Sequence, residues 1–166
     1  MVKIIFALAI LILGLLEVTV LQIFKVFHLM PDLLLIAVVT ASLTLDFKTA
    51  FILSVFAGLF KDTFSANPFG INTVLFALWS FAIARLSKKI SLDYDIIRLV
   101  LFSVIAIIHN IISAIVIFYS GALVPPGLVL RIVIIGSAYT AAVFPLLFKM
   151  NLALRKWAAS IRLVLP

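Results

Sequence analysis

Polar side chains interrupt two of the long apolar stretches of this sequence. Glu17 lies in the first stretch, and His109 and Asn110 are adjacent near the middle of the fifth. An ionisable group in such a setting usually pairs with another side chain, or it marks a ligand or ion pathway. We expect Glu17 to make a polar contact with another helix, and a partner or ligand site is the alternative.

His109 and Asn110 are followed one helical turn later by Ser113. This spacing favours a cluster of hydrogen bonds between helices, each contributing about 0.6 to 2 kcal/mol. A metal site would need further ligands at suitable spacing, and neither a second His nor an Asp lies close to His109 in the sequence. We therefore predict that no metal is bound here.

Enzyme signatures are missing from the sequence. It contains no HExxH, GxSxG, Walker loop or GxGxxG pattern, and it has only two His. It has no cysteine, which excludes disulfides, thiolate nucleophiles and cysteine-ligated metals. We expect a protein that is not an enzyme and uses no cofactor.

The most turn-like stretch joins two apolar runs and reads GLFKDTFSANPFGINTVLFAL from residue 58 to residue 78. Pro68 fixes φ and lacks an amide donor, while Gly70 permits a positive φ. Asn67 and Asn72 can hydrogen-bond backbone groups that the turn leaves free. Since such backbone is not tolerated against lipid, we expect a hairpin that packs against neighbouring helices.

Lys61 and Asp62 lie at the start of this hairpin and allow two interpretations. They can form a pair that neutralises itself at the membrane boundary. Alternatively, Asp62 is a fixed acid that holds the geometry of the hairpin.

The composition is that of an integral membrane protein. Of the 166 residues, 66% are hydrophobic and 11% charged, and the mean hydropathy is +1.40. The net charge of +7 does not indicate nucleic-acid binding, because the basic residues fall in the gaps between apolar runs and at the C-terminus. The expected surroundings are a lipid bilayer.

Six helical segments can be drawn, in an all-α fold. They cover residues 4–24, 33–45, 49–60, 71–84, 96–118 and 128–148. The middle three are short of the roughly 20 residues that span a bilayer. The second must therefore use flanking residues, thin the bilayer or be shielded by protein. These segments make up a membrane domain of residues 1–148, followed by a short basic amphipathic cytoplasmic tail at 149–166.

The basic residues predict the topology, because cytoplasmic loops carry the excess of Lys and Arg. Six passes with both termini in the cytoplasm place ten basic residues inside and three outside. Merging the second and third segments into one pass reverses the balance and leaves Asp46 and Lys48 at mid-bilayer. The outside residues of the six-pass topology are Lys25, Lys61 and Arg131.

The layout resembles the MreD family of bacterial rod shape-determining membrane proteins. The likeness is carried by PDLLLIAVV at 31–39 and by GLFKDTFSANPFGINTVLFALWSFAIARL at 58–86. The second stretch follows a pattern of Gly, Asp, a small-polar turn ending in Gly, and an apolar helix closing on Arg. The matching positions are Gly58, Asp62, Pro68, Gly70 and Arg85. With Asn72, they are our candidates for a structural motif or partner contact.

The resemblance implies a noncatalytic scaffold of the cell-elongation machinery in the bacterial inner membrane. Such proteins associate with the bitopic protein MreC and, through it, with a penicillin-binding transpeptidase, RodA and MreB. The family is also similar to the six-helix S components of energy-coupling-factor vitamin transporters, which implies an S-component-like bundle and an alternative function in substrate binding. The sequence offers few polar groups for a vitamin pocket, which favours the scaffold.

Overall fold

A computed structural model describes the backbone of residues 2–19, 29–65, 68–89, 94–121 and 125–164. It describes the side chains of the same residues except 2–5, 126 and 154–164. Within these ranges the chain is helical and contains no β-strand, as predicted. A π-helical turn at Ile132–Gly136 joins the last two helices into one rod, so the described residues form six rods. The helices are α1 (Val2–Thr19), α2 (Leu33–Thr44), α3 (Phe47–Phe64), α4 (Ile71–Leu86), α5 (Asp95–Tyr119), α6 (Pro126–Arg131) and α7 (Ser137–Val164).

Helix α2 lies at the centre of the bundle. It is apolar around its whole circumference, which is the pattern of a helix buried on all sides. Every residue from Leu33 to Ser42 is buried, and the helix packs against α1, α3, α4 and α7. Its 12 residues span only about 18 Å, so it is too short to cross a bilayer alone. The sequence left three ways for this short helix to sit in a bilayer, and the structure shows one of them, shielding by surrounding protein.

Helices α2 and α3 are two packed helices rather than one long one. Leu45 is extended, and Asp46 then caps α3 by accepting hydrogen bonds from the Thr49 amide at 3.0 Å and the Thr49 hydroxyl at 2.8 Å. Asp32 caps α2 in the same way, accepting from the Leu35 amide at 2.8 Å. Short acidic side chains at these positions satisfy amides that a helix start leaves unpaired.

The outer surface of the bundle is apolar. Helix α5 exposes a stripe of large side chains that recur at helical spacing: Ile96, Val100, Val104, Ile107, Ile111, Ile115 and Phe118. Two stretches of described helix are long and apolar enough to cross a membrane, Asp95–Tyr119 and Gly127–Ala153, with mean hydropathies of 2.6 and 1.9. An aqueous surface would not carry such a stripe, whereas lipid is a suitable neighbour for it.

The observed helix ends differ from the predicted ones at several points. The described part of α1 ends at Thr19, and residues 20–24 of the predicted first segment lie outside the described residues. Helix α3 continues to Phe64 because the Lys61 carbonyl still accepts from the Ser65 amide at its end. The last rod begins at Pro126 and continues to Val164 without a break at residue 149. The placement of residues 149–166 at the membrane surface stays a prediction.

Candidate functional site

Asp62 organises the corner between α3 and α4. Its side chain is buried, and it accepts hydrogen bonds from the Asn72 amide at 3.0 Å and the Asn72 side-chain nitrogen at 2.9 Å. It also accepts from the Thr73 amide at 3.0 Å and the Thr73 hydroxyl at 2.6 Å. The carboxylate therefore binds the free amides at the start of α4 from the end of α3. Charge-assisted bonds of this kind are stronger than neutral ones.

The turn leading into α4 has the backbone that its residue types predict. Gly70 has φ +98°, a left-handed conformation that other residues rarely adopt. The Ile71 amide donates to the Pro68 carbonyl at 3.3 Å, and the Asn72 side chain donates a further bond to the Ser65 hydroxyl at 3.1 Å. Asn67, which was expected to help here, lies outside the described residues.

Gly58 allows α3 and α4 to approach each other at the backbone. A Cβ atom added to it would lie 2.4 Å from the Thr73 Cα and 2.9 Å from the Asn72 carbonyl oxygen. Only glycine fits at that distance, and such close approach is the usual reason for a small residue between membrane helices. The predicted motif residues Gly58, Asp62, Pro68, Gly70 and Asn72 thus come together in this corner.

Arg85, the sixth motif residue, lies at the opposite end of α4. It is about 20 Å from the start of that helix, given a rise of 1.5 Å per residue. Its guanidinium lies 5.0 Å from the centre of the Phe81 ring, in a cation–π contact. The sequence motif therefore describes both ends of one helix rather than a single site.

A second cluster, the buried charge network, joins Glu17, Asp32 and Lys61. The Lys61 ammonium contacts the Asp32 carboxylate and lies 3.4 Å from Glu17 Oε1. Glu17 Oε2 accepts from the Leu34 amide at 3.0 Å. Each of the three side chains is largely buried, and the two carboxylates, which come from different elements, share the single cation of Lys61. The expected contact of Glu17 with another helix is present in this geometry.

Lys61 does not neutralise its neighbour Asp62, which was one of the two interpretations. Adjacent residues on a helix point in different directions. Lys61 faces α1 and the start of α2, whereas Asp62 faces α4. The geometry of Asp62 matches the other interpretation, a fixed acid in the hairpin.

His109 extends the charge network into the core between α4 and α5. Its Nδ1 accepts a hydrogen bond from the Trp79 indole at 3.4 Å, and its Nε2 lies 3.7 Å from Asp32 Oδ2. Since an indole can only donate, the proton of a neutral imidazole belongs on Nε2, facing Asp32. Within the described residues, no group of three His, Cys, Asp or Glu is arranged to hold a metal ion.

Asn110 and Thr140 connect the last rod to the rest of the bundle. The Asn110 side chain donates to the Ser137 hydroxyl at 2.9 Å and to the Ile132 carbonyl at 3.4 Å, within the π-helical turn. Thr140 accepts from the Asp32 amide at 3.2 Å and donates to the Gly136 carbonyl at 2.8 Å. π-Helical turns often occur where a helix carries a functional contact. The Ser113 hydroxyl, by contrast, is buried with no hydrogen-bond partner among the described residues.

Sequence reasoning missed the role of Asp32, the pairing of Lys61 with Glu17 and Asp32, and the contact of Thr140 with the Asp32 amide. Asp32 could have been found, because an Asp directly before a continuous apolar run is a helix-cap signal. Lys61 could have been found by asking which cation compensates Glu17. Thr140 has no signal in the sequence, since Thr is common in membrane helices and its partner is 108 positions away.

A match to a protein family covers both of these clusters. The family model described as rod shape-determining protein MreD matches residues 1–154. The chain belongs to the MreD family. No curated protein and no solved structure matches it.

Membership in the MreD family makes this chain a membrane protein with a role in rod shape determination. The resemblance inferred from residues 31–39 and 58–86 is confirmed. The structure assigns a structural role to residues in both stretches. The first begins with the cap of the central helix, and the second contains the α3–α4 corner together with Lys61.

Proposed function

We propose that this MreD protein is a noncatalytic scaffold of the cell-elongation complex. It binds an MreC-like bitopic protein along a helix face and thereby supports lateral peptidoglycan synthesis and cell shape. Through that partner it associates with a penicillin-binding transpeptidase, RodA and MreB. It crosses the bacterial inner membrane six times, with both termini in the cytoplasm.

The scaffold proposal rests mainly on one observation, which is that the polar side chains form hydrogen bonds within the protein. Asp62 and Asn72 hold the α3–α4 corner, His109 bonds Trp79, and Asn110 bonds α7. Among the described residues, these four side chains are used in hydrogen bonds within the protein, at the α3–α4 corner, at Trp79 and at the start of α7. A vitamin pocket needs convergent polar groups, so this distribution favours the scaffold over an S component.

The proposed contact region is the α3–α4 corner. Phe64, Phe69 and Val74 are exposed there, and Phe69 is 70% exposed on the turn before Gly70, where Asp62 bonds the start of α4. A hydrogen-bonded turn presenting apolar side chains suits a single-pass helix, because backbone held by such bonds has less conformational freedom to lose on binding. The cytoplasmic loop from Arg85 to Arg98 is the second region proposed for contact.

Affinity purification of the tagged protein from native membranes in mild detergent, followed by mass spectrometry, tests the proposal. We expect a bitopic coiled-coil protein and wall-synthesis enzymes to accompany it. Phe69→Ala should reduce partner recovery severalfold without reducing the yield of the folded protein. Phe118→Ala is the matched control, since Phe118 is also 70% exposed but lies at the end of α5.

Two results would contradict the proposal. One is recovery of paired ATP-binding subunits with a small coupling membrane protein, which would indicate the transporter alternative. The other is the absence of any wall-synthesis protein from the purified complex when the protein itself is folded and abundant.

A further inference from the structure

A pocket of about 570 Å³ opens at the end of the bundle opposite the α3–α4 corner. It lies where α2 ends, α3 begins and α4 ends, and we call it the basal pocket. Its volume falls within the range of roughly 300 to 1,000 Å³ that is usual for small-molecule sites. Its principal lining residues are Phe47, Ser80, Phe81, Arg85, Lys88 and Lys89.

One wall of the basal pocket is aromatic. The rings of Phe47 and Phe81 meet edge to face with their centres 6.2 Å apart, and both side chains are about half-exposed. Arg85 lies over the face of Phe81. An aromatic wall that ends in a cation fits a ligand with an apolar part and an anionic part next to each other.

The rim of the pocket is basic. Arg85, Lys88 and Lys89 are exposed, and none of them has a carboxylate partner within the part of the chain that the structure describes. Asp46, on the adjacent turn, directs one carboxylate oxygen at the amide and hydroxyl of Thr49. Three cations on one rim attract a phosphate group, since each basic group near a membrane surface strengthens the binding of an anionic lipid.

A buried polar atom lies in the wall of the pocket. Ser80 is fully buried, and its hydroxyl has no hydrogen-bond partner among the described residues. Such a group destabilises the protein while it remains unpaired. A ligand that fills the pocket and moves aside a side chain covering Ser80 would accept its proton and remove that cost.

We propose that the basal pocket binds an anionic phospholipid. The lipid phosphate lies against Arg85, Lys88 and Lys89, the first acyl carbons lie along Phe47 and Phe81, and an ester oxygen accepts from the Ser80 hydroxyl. The assignment rests on the placement of these helices in a membrane proposed above. A free phosphate compound would leave the aromatic wall uncovered, which is why the pocket favours a lipid.

Native mass spectrometry of the full-length protein in detergent, titrated with phosphatidylglycerol, tests this assignment. We expect tighter binding of phosphatidylglycerol than of phosphatidylcholine with the same acyl chains, and no measurable binding of glycerol phosphate. Lys88→Gln with Lys89→Gln should weaken phosphatidylglycerol binding about fivefold for each charge removed. Lys48→Gln with Lys149→Gln removes the same charge outside the pocket lining and should leave binding nearly unchanged.

Ser80→Ala separates a ligand contact from a structural role. Because the hydroxyl is unpaired in the protein, its removal should leave the melting temperature of the lipid-free protein unchanged or higher, while the stabilisation by phosphatidylglycerol falls. Equal binding of the two lipids, equal effects of the two lysine pairs, or a Ser80→Ala protein with full lipid stabilisation would each overturn the proposal. If one of these results is obtained while the wall-synthesis partners are still recovered in the affinity purification, the lipid site is refuted and the proposed scaffold function is not.

Discussion

At the scale of single residues, Lys61 carries the balance of charge in the bundle. It is the cation that contacts both Glu17 and Asp32, and all three side chains are largely buried. Lys61→Met keeps much of the side-chain length but leaves two buried carboxylates without a cation. We expect the free energy of unfolding to fall by about 3 to 5 kcal/mol, measured by thermal or denaturant unfolding in detergent.

The matched control for Lys61 is Lys149→Met, because Lys149 is exposed on α7. Its substitution should change stability by less than about 0.5 kcal/mol. Glu17→Gln, which removes one anion and keeps the side-chain shape, should cost less than Lys61→Met. A Lys61→Met protein as stable as the Lys149→Met protein would show that the network contributes nothing to folding.

Asp62 supports a second prediction at this scale. Its carboxylate accepts four hydrogen bonds from Asn72 and Thr73. Asp62→Asn removes the charge and turns an amide group toward at least one of these donors. We expect a loss of about 1.5 to 3 kcal/mol in the same unfolding measurement. Asp95→Asn should have little effect, because Asp95 is exposed; an equal loss in both variants would refute the special role of Asp62.

At the scale of helices, the contact of α3 with α4 depends on Gly58. Gly58→Ala would normally favour the helix, by up to about 1 kcal/mol. Here the added Cβ meets backbone atoms at 2.4 Å, which cannot move aside as a side chain would. We expect a net loss of about 1 to 3 kcal/mol, together with reduced partner recovery if the corner is the contact region. Gly127→Ala in α6, whose added Cβ meets nothing within 4 Å, should leave stability unchanged or slightly higher and should not change partner recovery.

The positions of the helices along the chain were easier to predict from the sequence than the way in which the helices pack against each other. Hydropathy located all six rods, and Pro68 and Gly70 located the corner, because these signals are local. The sequence left three options for the short helix α2: use of flanking residues, thinning of the bilayer, or shielding by protein. It could not choose among them, because an apolar helix surface is compatible with contact to lipid and with contact to protein. The pairing of Lys61 with Asp32 was not predicted, since it depends on how three rods pack.

At the scale of the whole molecule, the α3–α4 pairing constrains the topology. The rings of Phe47 and Phe81 are 6.2 Å apart, so the start of α3 and the end of α4 lie at the same end of the bundle. Lys48 and Lys88 must then face the same side of the membrane. The six-pass proposal makes that side the cytoplasm, whereas a merged second and third segment would put Lys88 outside.

Cysteine labelling decides between these topologies, and the natural chain contains no cysteine to give a background signal. We expect a membrane-impermeant maleimide to label Ser120→Cys in intact spheroplasts, because Ser120 is exposed at the end of α5. Lys48→Cys and Lys88→Cys should be labelled only after the membrane is opened, since positive charge concentrates on the cytoplasmic side. Labelling of Lys88→Cys in intact spheroplasts would refute the six-pass topology. Labelling of Lys48→Cys and Lys88→Cys from opposite sides would contradict the packing of α3 against α4 itself.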